Sequence, residues 1–352
     1  MKICFVTATL TSGGSERVMS LVANQLAKRG HDVEIVNLNK HIVFYPIHED
    51  VHLSFAEDEV GSSIVNKILW LRKRVKAEKP DVVIPFMEAV YCVTLLALIG
   101  VEVPVISSER IDPRKSPFVR NILRRIFLPL TTHLVVQTKD IKAFYPEFIQ
   151  KKTSIIYNPV SETVFHLQDE PKENVIISVG KLDGQKNQKL LINAFASIAE
   201  DFHDWKLVIY GEGRERDSLE SLVSSIKSQV SSRIQLPGRC ETVIEEMNKA
   251  KVFAFSSDFE GMSNAILEAV CVGLPVVTTN VSGAKDLVKE GKGGFVVPIR
   301  DKKAFANALH KILSNKELRE IMAQHNKATA KNFKLDMIVD QWESLILQIC
   351  NH

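Results

Sequence analysis

At 352 residues the chain is longer than one hydrophobic core usually supports, so two domains are expected. Hydrophobic residues at 45% and charged residues at 25% are globular averages; they argue against a fibrous repeat or long disordered tails, and no internal period or low-complexity run is present. A net charge of +3 is too small to single out nucleic acid as a partner.

The first forty residues run strand, glycine loop, helix, strand: Lys2 to Ala8, then Thr11-Ser12-Gly13-Gly14, a helical run Ser15 to Arg29, then Val33 to Leu38. The start reads as a first strand and not as a leader, because a single lysine precedes a short β-like run. Further apolar strands are expected at Val82 to Ile84, Val103 to Ile106 and Leu134 to Val136, with helical patterns between them. That alternation is α/β, a parallel sheet covered on both faces.

Charge is uneven along this half. Residues 1–160 carry 21 Lys+Arg against 16 Asp+Glu, while 161–352 carry 24 against 26. Two basic amphipathic helices are expected, at 64–74 with Arg72, Lys73 and Arg74, and at 118–127 with Arg120, Arg124 and Arg125. In the second, Phe118, Ile122 and Ile126 recur every four residues and Arg120 and Arg124 share another face. These six cations form a candidate surface for peripheral contact with an anionic membrane, the competing reading being a helix with one face on the core and one in water. The longest apolar stretch, Val90 to Val101, stops well short of the roughly twenty residues that span a bilayer, so no transmembrane helix is expected. Five widely spaced cysteines, none in a C-x-x-C, suit a reducing cytoplasm.

Asn158-Pro159-Val160 is a turn at which the first domain, 1–160, is expected to end. A second series of strands follows at Val175 to Val179, Leu207 to Tyr210, Ile234 to Leu236, Val252 to Phe255, Val276 to Thr278 and Phe295 to Val297. Beyond about residue 300 only helical patterns appear. The second domain is expected over 161–331, followed by a last helix with Ile338, Trp342, Leu345 and Ile349 at helical spacing.

Two constellations carry chemistry. Gly180-Lys181-Leu182-Asp183-Gly184-Gln185-Lys186-Asn187 lies between a strand and a helix, where backbone N–H groups and the helix dipole favour phosphate and two lysines add full charges. Charge that develops on a diphosphate leaving group would be stabilised there by Lys181 and Lys186. Glu260-Gly261-Met262 leads into a helix that begins near Ser263 and runs through Glu268, and two carboxylates eight positions apart can face one groove at different heights, which suits a ligand with two diols. Gly211-Glu212-Gly213 follows a strand but is no dinucleotide fingerprint, because Arg216 stands at the third glycine position. No D-x-D triplet and no His/Cys set with ligand spacing occurs, so neither metal nor cofactor is expected.

The ordered set Gly13-Gly14-Ser15-Glu16-Arg17, Asn158-Pro159-Val160, Gly180-Lys181-Leu182, Lys186-Asn187, Gly211-Glu212-Gly213, Leu236-Pro237-Gly238, Glu260 to Glu268, Gly273-Leu274-Pro275 and Gly283-Ala284-Lys285-Asp286 resembles the retaining glycosyltransferases of glycosyltransferase family 4 over essentially the whole chain. The resemblance implies a GT-B fold, two Rossmann-like domains facing a cleft, with the last helix returning to the first. It implies metal-independent transfer from a nucleotide diphosphate sugar, a UDP-sugar with UDP-GalNAc among the candidates, to a glycan acceptor. By the same resemblance Lys186 and Lys181 hold the diphosphate, and Glu260, with the N–H groups of Gly261 and Met262 and with Ser263, binds the transferred sugar. Glu268 binds the ribose, Gly180, Gly211 and Gly213 shape the donor site, and the Gly13-Gly14 loop covers the diphosphate. Relatives often carry a histidine near Ser107-Ser108-Glu109-Arg110, and Glu109 or Arg110 stands in that place here. The nearest resemblance, to bacterial enzymes that extend polyprenyl-diphosphate-linked glycans in cell-surface polysaccharide synthesis, implies such a glycan as acceptor. A GT-B nucleotide-sugar epimerase is the alternative.

Overall fold

The computed structural model describes every residue except His41, Asp169 and His352. The chain divides into two compact units, Met1–Pro159 together with the segment from Leu335 onward, and Val160–Lys334. These divisions fall within one and three residues of the boundaries expected at 160 and 331.

The first unit holds β1 (Lys2–Thr7), β2 (Asp32–Asn37), β3 (Val51–Phe55), β4 (Val82–Pro85), β5 (Ile106–Ser108), β6 (His133–Val136) and β7 (Thr153–Ile155). They form parallel sheets in the orders β3-β2-β1-β4 and β5-β6-β7, linked by bridges from Val83 to Val105 and from Phe86 to Ser108. The strand expected from Val103 begins only at Ile106, since Pro104 offers no N–H to a ladder. Side chains alternate across the sheet. Ile3 and Phe5 join one buried cluster, Cys4 and Val6 the other, which is why the strand reads as a continuous apolar run.

The C-terminal helix Leu335–Cys350 belongs to this unit. Its buried Ile338, Trp342, Leu345 and Ile346 enter the Ile3/Phe5 cluster, and Trp342 stacks on Phe86 at 5.9 Å between ring centroids. Charge fixes the helix laterally: Arg29 lies 2.7 Å from Asp340 and 2.6 Å from Glu343, and His31 lies 2.7 Å from Glu343.

The second unit is one six-stranded parallel sheet of β8 (Val175–Val179), β9 (Lys206–Tyr210), β10 (Ile234–Gly238), β11 (Val252–Phe255), β12 (Val276–Thr279) and β13 (Gly294–Val297). Its order, β10-β9-β8-β11-β12-β13, reverses between β8 and β11. In an open α/β sheet that reversal leaves a crevice outside the strand ends, the place where such folds bind ligands. Among the described residues no helix is long and apolar enough to cross a membrane.

Candidate active site

The loops that leave β8 and β11 flank this reversal, and they contain the two constellations singled out in the sequence. The first loop ends in helix Gln188–Ala196, whose N-cap, Asn187, adopts a left-handed φ of 46°, a conformation asparagine tolerates better than most residues. The second ends in helix Asn264–Val272, capped by the Ser263 side chain accepting from the Ile266 N–H. The Ser263 hydroxyl caps its own helix as an acceptor and keeps its O–H to donate. The helix begins where the sequence pattern places it, near Ser263, and Glu260 lies in the loop ahead of it. Glu268 alone is helical, and it is buried.

Lys186 Nζ lies 2.6 Å from Glu260 Oε1 and 5.1 Å from the centre of the Phe255 ring. Ser257 Oγ donates to the same carboxylate oxygen at 2.6 Å. Both contacts fall on Oε1, which leaves Oε2 to accept from a ligand hydroxyl, and two of the three ammonium donors of Lys186 remain beyond its bond to Glu260. Lys181, by contrast, is exposed at the start of the loop.

The two loops are tied to each other. The Asp258 N–H donates to the Gln185 carbonyl at 2.8 Å, Gln185 Nε2 to the Phe259 carbonyl at 2.8 Å, and Asn187 Nδ2 to Asp258 Oδ1 at 3.0 Å. Ser256 Oγ is within 3.0 Å of the Lys186 carbonyl. Arg300, itself at a left-handed φ of 63°, clasps Asp258 Oδ2 through Nε at 2.8 Å and Nη2 at 2.6 Å. The bonds between the two loops contribute about 1 kcal/mol net each, and with the Arg300 clasp they hold Lys186 and Glu260 in register. Asp258 and Arg300 escaped the sequence reading because they are 42 positions apart and match no local pattern.

The glycines of the Gly211-Glu212-Gly213 turn have a packing reason. A Cβ on Gly211 would fall 1.9 Å from the Gly180 carbonyl oxygen, and one on Gly213 would fall 2.1 Å from that of Leu182. The turn presses directly on the Lys181 loop, and the Leu182 N–H donates to the Glu212 carbonyl at 2.9 Å. Arg216, in the place of a third glycine, bonds Glu212, Glu220 and the Leu236 carbonyl. A Cβ on Gly180 would meet the aliphatic stem of Lys186 at 3.7 Å, an ordinary contact.

Comparison with known proteins supplies the family. The model for glycosyltransferase family 4 matches residues 12–164, and that for glycosyl transferases group 1 matches 161–329. A Campylobacter jejuni alpha-1,4-N-acetyl-D-galactosaminyltransferase, named for the substrate GalNAc-alpha-(1->4)-GalNAc-alpha-(1->3)-diNAcBac-PP-undecaprenol, is 30% identical over 100% of this chain and 99% of its own. The chain belongs to glycosyltransferase family 4. A second Campylobacter jejuni N-acetylgalactosaminyltransferase, named for a diphospho-undecaprenol substrate, is 34% identical over 52% of this chain and 50% of its own. The family 4 glycosyltransferase also shares its GT-B fold with Anabaena HepE solved with UDP, at TM-score 0.81, 17% identity and coverage of 99% and 100% of the two chains. Sucrose-phosphate synthase from Thermosynechococcus elongatus gives a TM-score of 0.82 at 16% identity, covering 99% and 98%.

In the first unit of this glycosyltransferase, Gly13 is the N-cap and Gly14 the first residue of helix Gly14–Lys28. A Cβ on Gly13 would displace the flexible end of the Glu16 side chain, whose Oε2 would lie 2.2 Å away. Glu109 is corrected as a catalytic candidate. It has no exposed surface, and its carboxylate takes Arg124 Nε at 2.8 Å, Tyr91 OH at 3.0 Å and Tyr145 OH at 2.9 Å. A group so enclosed touches no substrate. Burial drives both phenols well above their ordinary pKa, and the Glu109 charge adds to it, so they stay protonated as donors. Arg110 is buried as well, its guanidinium 4.4 Å over the Phe86 ring and bonded to Asn158 Oδ1 at 3.1 Å; burial pulls its pKa down to about 9.

Three of the six membrane-surface candidates are also corrected. Arg124 is 2% exposed and held by Glu109. Arg74 turns to Glu34 at 2.7 Å, and Arg72 donates to the Ala97 and Ile99 carbonyls at 2.8 and 2.7 Å, at the negative end of helix Glu88–Ala97. Lys73, Arg120 and Arg125 stay on the surface.

Proposed function

We propose that this glycosyltransferase moves N-acetylgalactosamine, with retention and without a metal, from UDP-GalNAc to a polyprenyl-diphosphate-linked glycan, at the surface of an anionic membrane. The observation that carries the reading is the Lys186–Glu260 pair at the strand-order reversal of a chain similar, end to end, to an N-acetylgalactosaminyltransferase named for an undecaprenol-linked substrate. UDP as carrier rests on the resemblance read from the sequence.

Lys186, backed by the more exposed Lys181 and by the N–H groups at the head of helix Gln188–Ala196, meets the charge that grows on the diphosphate. Glu260 Oε2 accepts a hydroxyl of the transferred sugar, beside the backbone of Gly261 and Met262. Glu268 is assigned to the ribose. The bond from the anomeric carbon to the diphosphate oxygen breaks while the acceptor oxygen bonds the same face, and the departing phosphate takes the acceptor's proton. Positioning and electrostatics suffice for this, and no protein nucleophile is required. Lys73 and Arg120, about 1 kcal/mol each near an anionic leaflet, supply a salt-sensitive peripheral contact.

Calorimetry with UDP-GalNAc, UDP-GlcNAc, GDP-mannose and ADP-glucose, followed by NMR of the product with a lipid-linked glycan, tests the reading. Preferential binding of UDP-GalNAc and an α-linked product are expected. Inversion at the anomeric carbon, or isomerised donor in the absence of acceptor, would overturn it.

A further inference from the structure

The first unit carries a groove of about 660 Å3 between helix Phe118–Phe127 and the segment that joins helices Lys139–Phe144 and Glu147–Gln150. Its walls are large apolar side chains left in water: Phe118 is 79% exposed, Ile122 40%, Phe144 39% and Phe148 59%. Val119 and Ile126 of the same helix, and Leu130 just beyond it, are exposed as well. Monomeric soluble proteins rarely leave such a patch without a use for it.

The orientation of the helix is imposed. A helix bearing Phe118, Ile122 and Ile126 on one side and arginines on another would, by solvation alone, bury the former and expose the latter. Here Arg124 is buried, bonded to Glu109 at 2.8 Å and to Asn121 at 2.8 Å, so the helix cannot roll to hide its apolar side without breaking those bonds. Arg125 also lines the groove. It is exposed, and it makes no hydrogen bond or ion pair among the described residues.

We propose that the groove seats the hydrocarbon chain of the acceptor's lipid, an isoprenoid bearing phosphate, with Arg125 facing the anionic group where chain meets glycan. This rests on the reading that the acceptor is lipid-linked. The volume lies in the range of small-molecule sites, roughly 300–1,000 Å3, and a long aliphatic and aromatic trough with one free cation at its edge matches an amphiphile with a single charged end. A bilayer surface would call for a convex face, and this one is concave.

The test compares the wild-type chain with the double variant Ile122→Asn, Phe148→Ser, whose side chains are exposed enough to leave the melting temperature unchanged. Geranylgeranyl phosphate is titrated by calorimetry, and transfer is measured to a lipid-linked glycan and to the same glycan without lipid. The groove assignment expects the variant to bind the probe at least about tenfold more weakly and to show a tenfold higher KM for the lipid-linked acceptor, with kcat and lipid-free transfer unchanged. Equal probe binding by both proteins overturns it. So does a variant that loses flotation with phosphatidylcholine vesicles free of isoprenoid, for then acyl chains of the bilayer fill the groove. Wild-type transfer that is indifferent to the lipid overturns the lipid-linked reading, while probe binding still reports on the groove by itself.

Discussion

Lys186 and Glu260 neutralise each other at 2.6 Å, so each is partly responsible for the other's place. Lys186→Ala removes the charge proposed to meet the diphosphate, and Glu260→Ala removes both the carboxylate proposed to accept the sugar hydroxyl and the counter-ion of Lys186. Each is expected to lower kcat/KM at least about 100-fold, about 2.7 kcal/mol in the barrier, with the melting temperature little changed. Steady-state kinetics that stay near wild type in either variant would take that residue out of the site. Both residues were legible in the sequence because each sits in a short run whose residue types and neighbours declare it, glycines beside cations after a strand and glycine beside a carboxylate before a helix. Ser257, Asp258 and Arg300 were not. Their importance lies in bonds to other loops, and a serine, an aspartate and an arginine on the surface of a sequence look like any others.

The helix Phe118–Phe127 shows the same division at the scale of an element. Its limits follow the sequence pattern, while its roll about its own axis is decided by Glu109, fifteen residues away and buried with Tyr91 and Tyr145. Two buried carboxylates flank Arg124, and they are not equivalent. Glu109 is 2.8 Å away, whereas Glu88 lies 3.9 Å from Arg124 and 3.6 Å from Arg120. Burial raises the pKa of Glu88, helped by the Glu109 charge and only partly offset by the arginines. A carboxyl whose folded pKa stands above its unfolded one loses stability as pH rises through the folded value, so ionised Glu88 is a net cost at neutral pH. Glu109→Gln is therefore expected to destabilise the protein by about 3–5 kcal/mol, since Arg124 loses its partner in the interior. Glu88→Gln is expected to leave stability unchanged or raise it. Urea unfolding of the two variants at pH 7 checks the contrast, and a Glu88→Gln penalty as large as that of Glu109→Gln would show that both carboxylates hold the helix.

At the scale of the whole molecule, the last helix completes the first unit through Trp342 and a cluster of charges around Arg29. The hydrogen bond from His31 holds the Glu343 carboxyl below the ordinary carboxylate pKa, with Arg29 adding to it against the effect of burial. The sign is that of a depressed acid: its contribution is complete above the unfolded pKa of about 4.3 and fades as pH falls through the folded value. Melting temperatures measured from pH 7 to pH 3 should fall at the acid end, and Glu343→Gln should flatten that fall while melting lower at pH 7. Identical acid profiles for the two proteins would sink this account. The sequence by itself determined two α/β units, their division near Pro159, the positions of most strands and the loops that carry Lys186 and Glu260, because strand and helix periodicity, prolines and glycine-bearing loops act over a few residues. Only the tertiary structure decided which side of an amphipathic helix faces inward, that Arg124 and Glu109 serve each other and no ligand, and that Arg300 reaches Asp258. Those outcomes depend on partners brought together by the sheets, and periodicity reveals that a helix has two faces without revealing what waits opposite either one.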